Sequence, residues 1–267
     1  FFVFIFVAYM NYPYSYLVGV QYLGFRFHGW QKQKNAMSLH EMIEKTLGFV
    51  LEDTKFTFHG ASRTDSKVSA RNYYFQLFCH DPVDIEGFIK QFNKNAPLDI
   101  KALTIKEVPK NFNIIQAPKC KEYHYYFSFG SKNHPFAASL MVGFDDDLDI
   151  ELMQQGAILF EGTHYFHKYC TQPTKHTVFK RNIESCRIEE NQILQSNFFP
   201  EKSYVLKVKA SGFLRYQIRL MMGMLVDLGN QVVTIEQIIA SLKENNDRIH
   251  LRHIVPGSGL QLYDITF

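Results

Sequence analysis

Cysteine is scarce in this chain: four residues in 267, at positions 79, 120, 170 and 186, with no C-x-x-C pair. That number and spacing exclude a disulfide scaffold. His167 and Cys170 stand close together, but no second pair completes a tetrahedral zinc site, and neither metal nor cofactor is expected. Reduced thiols fit a cytoplasmic setting. Long apolar runs are missing too. The first nine residues, Phe1 to Tyr9, are apolar, well short of the ~20 that a membrane span needs. No basic stretch before them and no small-residue cleavage site after them marks a signal peptide. With no methionine before Met10, residues 1–13 are expected to be a peripheral or non-native extension.

Excess charge of either sign is absent as well. Lys and Arg number 29 against 26 Asp and Glu, a formal net charge of +3, which leaves room for one basic groove but not for a uniformly basic surface. Tryptophan occurs once, yet aromatics reach 15% through 25 Phe and 15 Tyr. A Phe-rich core accounts for them; the alternative is that some rings stack on nucleobases. With 46% apolar and 21% charged residues the chain is not disordered. Its length admits one large domain or two of roughly 100 to 150 residues.

The pattern along the chain favours two. Tyr14 to Tyr22 reads as a strand closed by Gly24. Ser38-Leu39-His40-Glu41 has the form of a capping box, and Leu39, Met42, Ile43, Leu47 and Val50 continue it as a helical stripe. A strand at 55–59, a polar loop at 60–72, an aromatic strand at 73–80, a helix capped by Asp84 and a strand at 100–108 follow. This strand, helix, strand, strand, helix, strand order is the ferredoxin-like plan. Prolines and Asn between Pro109 and Pro118 mark a boundary. Beyond it come a strand at 121–129, a helix at 150–160, and strands at 177–189 and 203–211. A helix at 214–228 stopped by Gly229 as a left-handed cap, a second capping box at Thr234 to Gln237 and a strand at 261–266 complete the chain. The expectation is an α+β protein with two similar ferredoxin-like (RRM-like) α/β domains, 14–112 and 113–267, and mainly antiparallel sheets.

Three segments could carry chemistry. In Gly60 to Ala70, Asp65 is enclosed by Arg63 and Lys67 on a small-residue loop, where two cations favour an ionised carboxylate suited to act as nucleophile or base. No second carboxylate occurs before Asp81, so no acid pair of the glycosidase kind is visible locally. The plainer reading is that Asp65 orders a turn. In Lys121-Glu122-Tyr123-His124-Tyr125-Tyr126, Tyr123 and Tyr125 share a face, as core strand residues do. In Phe213 to Arg219, Arg215 and Arg219 are one helical turn apart, either solvated or serving a carboxylate such as Asp65.

Taken together, these segments resemble the motifs of the TruA family of tRNA pseudouridine synthases, in the same order. Tyr22-Leu23-Gly24-Phe25-Arg26-Phe27-His28-Gly29-Trp30-Gln31-Lys32-Gln33 is similar to the family's Y-D-G-x-x-Y-x-G-W-Q-x-Q opening, and Ser62-Arg63-Thr64-Asp65 to its G-R-T-D motif. Lys121-Glu122-Tyr123 resembles its basic-x-Tyr motif, Phe213 to Arg219 its third motif, and Gly162 to Phe166 its G-x-x-D-F turn, with Tyr165 in place of Asp. The resemblance spans residues 15–267. The chain departs from the family's G-R-T-D-A-G-V-H-A run at Ser62, Ser66, Lys67 and Ser69, and has Leu23 for Asp and Phe27 for Tyr in the opening motif.

The resemblance implies the pseudouridine synthase fold, with the two halves flanking a central basic cleft, and isomerisation of uridine in the anticodon stem-loop of tRNA without a cofactor. It implies Asp65 as catalytic nucleophile, Tyr123 against the base or taking a sugar proton, and Arg219 paired with Asp65. Arg63, Lys67, Arg26, Trp30, Lys121, Arg215 and Phe213 are the implied RNA-binding residues, with Arg252 among further cations, and the partners are tRNA and a second copy of the chain in a homodimer. The altered loop after Asp65 leaves open an RNA-binding protein that keeps the scaffold without synthase activity.

Overall fold

A computed structural model describes residues 12–244, 251 and 253–267; the greater part of the expected extension, residues 1–11, and Arg252 lie outside the described residues. No helix among the described residues is long and apolar enough to cross a membrane. The chain is a mixed α+β protein with mainly antiparallel strand pairing. It divides into two units, Phe1–Lys119 with Tyr263–Phe267, and Cys120–Leu262. The stretch from Pro109 to Pro118 thus belongs to the first unit, and a buried side chain explains why. Gln76 is 1% exposed; its amide nitrogen donates to the Phe112 carbonyl (2.9 Å) and its oxygen accepts the Ile114 amide (3.1 Å).

In the first unit, β1 (Tyr14–Tyr22) pairs antiparallel with both β3 (Ser69–Cys79) and β4 (Ile100–Glu107), and β2 (Phe56–Gly60) pairs antiparallel with β3. Two helices complete it, α1 (Leu39–Leu51) and α2 (Ile85–Asn95). The α1 stripe buries Leu39, Ile43 and Leu47, while α2 buries Phe88 and Phe92. Ser38 Oγ accepts the Glu41 amide (3.3 Å) as expected, but the Glu41 carboxylate turns to Lys45 (2.8 Å), so half of the capping box forms. Asp84 occupies the N-cap of α2 without a side-chain hydrogen bond. β3 starts at Ser69, four residues earlier than the aromatic pattern suggests, because Ala70 pairs with Tyr22 of β1. The expected long loop is thereby shortened to 61–68, which is the segment carrying Asp65.

In the second unit, β5 (Cys120–Phe129) pairs antiparallel with β9 (Tyr204–Ala210) and parallel with the short β6 (Val142–Phe144). β9 pairs with β8 (Lys180–Glu190), and β8 with β7 (Gly162–Tyr165), both antiparallel. Helices α3 (Ile150–Ile158), α4 (Gln217–Gly229) and α5 (Ile235–Ser241) complete the unit. Gly156 lets α3 lie close to α4: a Cβ there would meet Leu228 at 2.4 Å. At α5 the second capping box closes in full, with Thr234 and Gln237 exchanging bonds.

Two expectations about α4 are corrected. Gly229 is its last residue and not a left-handed cap; Asn230 follows at φ −83°. The left-handed residue at this end is Gln231 (φ 58°), two positions past Gly229, and a second stands at the other end, where Tyr216 holds φ 63° at the N-cap. The helix therefore begins at Gln217, and Arg215, which precedes it, does not share a helical face with Arg219. The last strand, β10 (Leu260–Thr266), begins in the second unit and ends in the first.

Candidate active site

Asp65 stands half-buried in the 61–68 loop, with Arg63 and Lys67 exposed on either side. The turn at 24–30 shapes this loop. The Trp30 amide donates to the Thr64 carbonyl (3.1 Å), and the Lys67 amide to the Phe27 carbonyl (3.0 Å). Ser66 Oγ donates to the same Phe27 carbonyl (3.3 Å), and Ser69 Oγ accepts the Gly24 amide (2.9 Å). Beneath the loop, the Tyr22 and Thr64 hydroxyls lie 3.0 Å apart, and the Tyr73 hydroxyl donates to the Ser62 carbonyl (2.5 Å). Two glycines permit this approach. A Cβ on Gly24 would lie 1.9 Å from the Val68 carbonyl oxygen, and one on Gly29, at φ 88°, 2.6 Å from that of Thr64.

The Asp65 carbonyl accepts the Val68 amide (3.2 Å), closing a turn in which Lys67 takes φ 66°. A non-glycine residue there costs about 1–2 kcal/mol, and the surrounding hydrogen bonds hold it. The loop is ordered by hydroxyls, amides and glycines on both sides of Asp65. Ser69, which replaces a histidine of the family motif, is one of those groups and is 3% exposed.

In the second unit, Tyr123 of β5 is 7% exposed, and its ring meets Phe213 edge to face with centroids 5.3 Å apart. Two residues earlier, burial holds the Lys121 ammonium below its ordinary range. On the other strand face, Glu122 lies between His124 Nε2 (2.8 Å) and Lys209 Nζ (3.2 Å). Burial alone would raise the Glu122 carboxyl; the hydrogen bonds from His124 and Lys209 outweigh it and hold it below its ordinary value.

Helix α4 is buried along its length apart from Arg219 and Asp227. A helix apolar on all sides belongs in a core, so a cation within it marks a purpose. Arg219 Nε donates to the Val255 carbonyl (2.7 Å), and its guanidinium carbon lies 4.7 Å from the centroid of the Tyr216 ring. Arg215 lies 5.4 Å from the same ring and donates to the Gln172 side-chain oxygen (2.5 Å).

The other RNA-binding expectations land in different settings. Arg26 is exposed and bound through two nitrogens to the Asp99 carboxylate, with its guanidinium 4.6 Å from the Phe27 ring centroid. Trp30 is 4% exposed and packs against Tyr73 (4.3 Å), His40 (6.0 Å) and Phe58 (6.4 Å), so in this structure its ring is core and its amide is what supports the Asp65 loop. Lys67 Nζ lies 5.4 Å from the Phe25 ring centroid. Phe213 is half-buried beneath Tyr123 and Lys121 is half-buried on β5. Thr64, 7% exposed, and Tyr216 were not among the expected site residues. Thr64 adjoins Asp65 and was legible by position; a left-handed tyrosine leaves no such signal.

A family profile described as tRNA pseudouridine synthase matches residues 157–267. The chain is 31% identical over 255 residues to tRNA pseudouridine synthase A of Streptococcus pneumoniae (strain P1031), covering 94% of this chain and 98% of that protein. The synthase of the same name from Clostridium acetobutylicum is 28% identical over 248 residues, covering 93% and 97%. tRNA pseudouridine synthase A 1 of Protochlamydia amoebophila is 26% identical over 253 residues, covering 94% and 96%.

Proposed function

The chain belongs to the family of tRNA pseudouridine synthases, which are isomerases, and from that premise we propose that it converts uridine to pseudouridine in the anticodon stem-loop of tRNA with Asp65 as nucleophile. The reaction breaks the N1–C1′ bond, turns the detached uracil and joins C5 to C1′; the C5 proton leaves to solvent and N1 gains one. Nothing is oxidised or reduced. One ionised carboxylate without an acid twin suits it, acting at C1′ or by assisting elimination from the sugar.

The observation that carries the reading is the Asp65 loop. Its backbone is fixed before substrate arrives by the contacts to Gly24, Phe27 and Trp30, and a nucleophile held in place has its orientational entropy already removed. Tyr123 and Arg219 serve the same uridine, Tyr123 against the base or by taking a sugar proton, Arg219 by holding the carboxylate in place. Arg63, Lys67 and Arg215, all exposed, meet phosphates or the displaced nucleotide. A uridine in a duplex must leave its stack first, at a cost of a few kcal/mol that such cations offset. A homodimer in the cytoplasm completes the proposal.

Tritium release from unmodified tRNA labelled at uridine C5 tests it. The wild type is expected to release tritium and Asp65→Ala to release none above background. No release by the wild type, with tRNA binding retained, supports instead the RNA-binding protein without synthase activity; undiminished release by Asp65→Ala removes Asp65 from the chemistry.

A further inference from the structure

The Tyr216 backbone is the most unexpected feature near Arg219. At φ 63° it sits in the left-handed region, which a glycine would occupy without strain. Strain of this kind persists where the surroundings impose it, and here they do. The Leu214 amide donates to Gln217 Oε1 (2.8 Å) and the Gln217 amide to the Leu214 carbonyl (3.1 Å). The Leu220 amide donates to the Tyr216 carbonyl (3.0 Å), opening α4, and the Arg215 carbonyl accepts the Thr171 amide (3.2 Å). None of these bonds uses the tyrosine ring. The turn would close around glycine equally well, so the ring must be explained by what it touches.

It touches two guanidiniums, Arg219 at 4.7 Å and Arg215 at 5.4 Å. For Arg219 the contact adds to the bond from Nε to the Val255 carbonyl (2.7 Å). A planar cation held at one edge and across one face has its plane fixed, and its terminal amino groups then point in fixed directions before any substrate binds. Arg215 is tied to Gln172 (2.5 Å), itself left-handed at φ 48°.

We propose that Tyr216 is a positioning residue for the isomerisation: its ring, aimed by the left-handed turn at the head of α4, holds the Arg219 guanidinium in the orientation the reaction uses. The proposal rests on the reading that Arg219 serves the target uridine. The ring face acts and the hydroxyl does not, which separates it from a tyrosine acting in proton transfer.

The test measures tritium release under kcat and KM conditions for Tyr216→Phe, Tyr216→Leu, Tyr216→Gly, Arg219→Lys and Arg219→Ala, with melting temperatures for each. Tyr216→Phe is expected to stay within about twofold of wild type, while Tyr216→Leu and Tyr216→Gly lose about tenfold or more in kcat with little change in KM, as misplacement of a catalytic group does. Tyr216→Gly relieves the backbone and is expected to melt no lower than Tyr216→Leu while turning over as slowly; a role in stability alone would make the glycine variant the faster of the two. In the Arg219→Lys background the further loss from Tyr216→Leu is expected to shrink to about twofold or less, since both act through one group. Equal losses in both backgrounds, or wild-type turnover by Tyr216→Leu, overturn the proposal while leaving Arg219 in place. Wild-type turnover by Arg219→Lys and Arg219→Ala instead removes Arg219 from the reaction, and the reading on which the proposal rests fails with it.

Discussion

Lys67 and Gly29 show how much of the Asp65 loop is decided by single backbone angles. Both have positive φ, 66° and 88°. Lys67→Gly removes a left-handed penalty of about 1–2 kcal/mol, against roughly 0.5–1 kcal/mol for the added freedom of glycine in the unfolded chain. The loss of an exposed contact between Lys67 Nζ and the Phe25 ring offsets about 0.5 kcal/mol more. The expected outcome is a stability within about 0.5 kcal/mol of wild type, centred on a slight gain of about 0.25 kcal/mol, read as the urea midpoint with unchanged slope. Gly29→Ala has the opposite sign. Its Cβ would meet the Thr64 carbonyl at 2.6 Å with φ strained as well, so a loss of about 2–3 kcal/mol and a displaced Asp65 loop are expected. Lys67 therefore holds its turn at a small cost in stability, and Ser69 Oγ ties the loop to the Gly24 amide.

Among the elements, α1 separates two halves of one signal. The Ser38 hydroxyl makes its cap bond, while Glu41 pairs with Lys45 on the exposed surface. Ser38→Ala is expected to cost about 1 kcal/mol and Glu41→Ala clearly less, its partner being a surface lysine, compared by thermal melts; equal losses would mean that the carboxylate contributes to the cap in solution. The helices and strands of the first unit were legible because their stripes and caps are local. β3 was legible in its aromatic half and not in Ser69 to Asn72, whose strand character comes from pairing with β1. Trp30 is assigned to the RNA by the resemblance of its motif alone; only the fold reveals Tyr73, His40 and Phe58 around it. The head of α4 was misread for a related reason. A helical stripe from Leu214 onwards is compatible with the sequence, and the left-handed Tyr216 is fixed by hydrogen bonds to residues that no periodicity connects to it.

At the scale of the molecule, acid stability joins histidines of both units. Burial lowers the proton affinity of His40 and His59 in the first unit and of His124 in the second. The unfolded chain therefore binds protons that the folded chain does not, and stability falls as pH drops below the unfolded histidine value of about 6.5, continuing down towards the lowered folded values. Glu122, held low in the fold, extends the loss in the same direction at lower pH. His40 offers a clean probe: its ring stacks on Phe58 at 4.3 Å and its Nδ1 has no hydrogen-bond partner among the described residues. His40→Phe keeps the stack and is expected to flatten the decline in melting temperature between pH 7 and pH 5.5; an unchanged slope would show that His40 takes up protons equally in the folded and the unfolded chain.

The first unit is discontinuous in the chain, made of Phe1–Lys119 and Tyr263–Phe267. Those last residues are tied in by the Lys119 amide on the Thr266 carbonyl (2.8 Å), Arg71 on the Tyr263 hydroxyl (2.5 Å) and Asn72 on the Asp264 carboxylate (3.3 Å). During synthesis the ribosome must make all of Cys120–Leu262 before they emerge, a wait of about 7–30 s at roughly 5–20 residues per second. For that interval the nascent first unit lacks its closing segment, and β3, whose neighbour in the sheet is β10, carries an incomplete edge, a template for mispairing. Completion of the unit that holds Asp65 is thus timed by the translation of the unit that holds Tyr123 and Arg219.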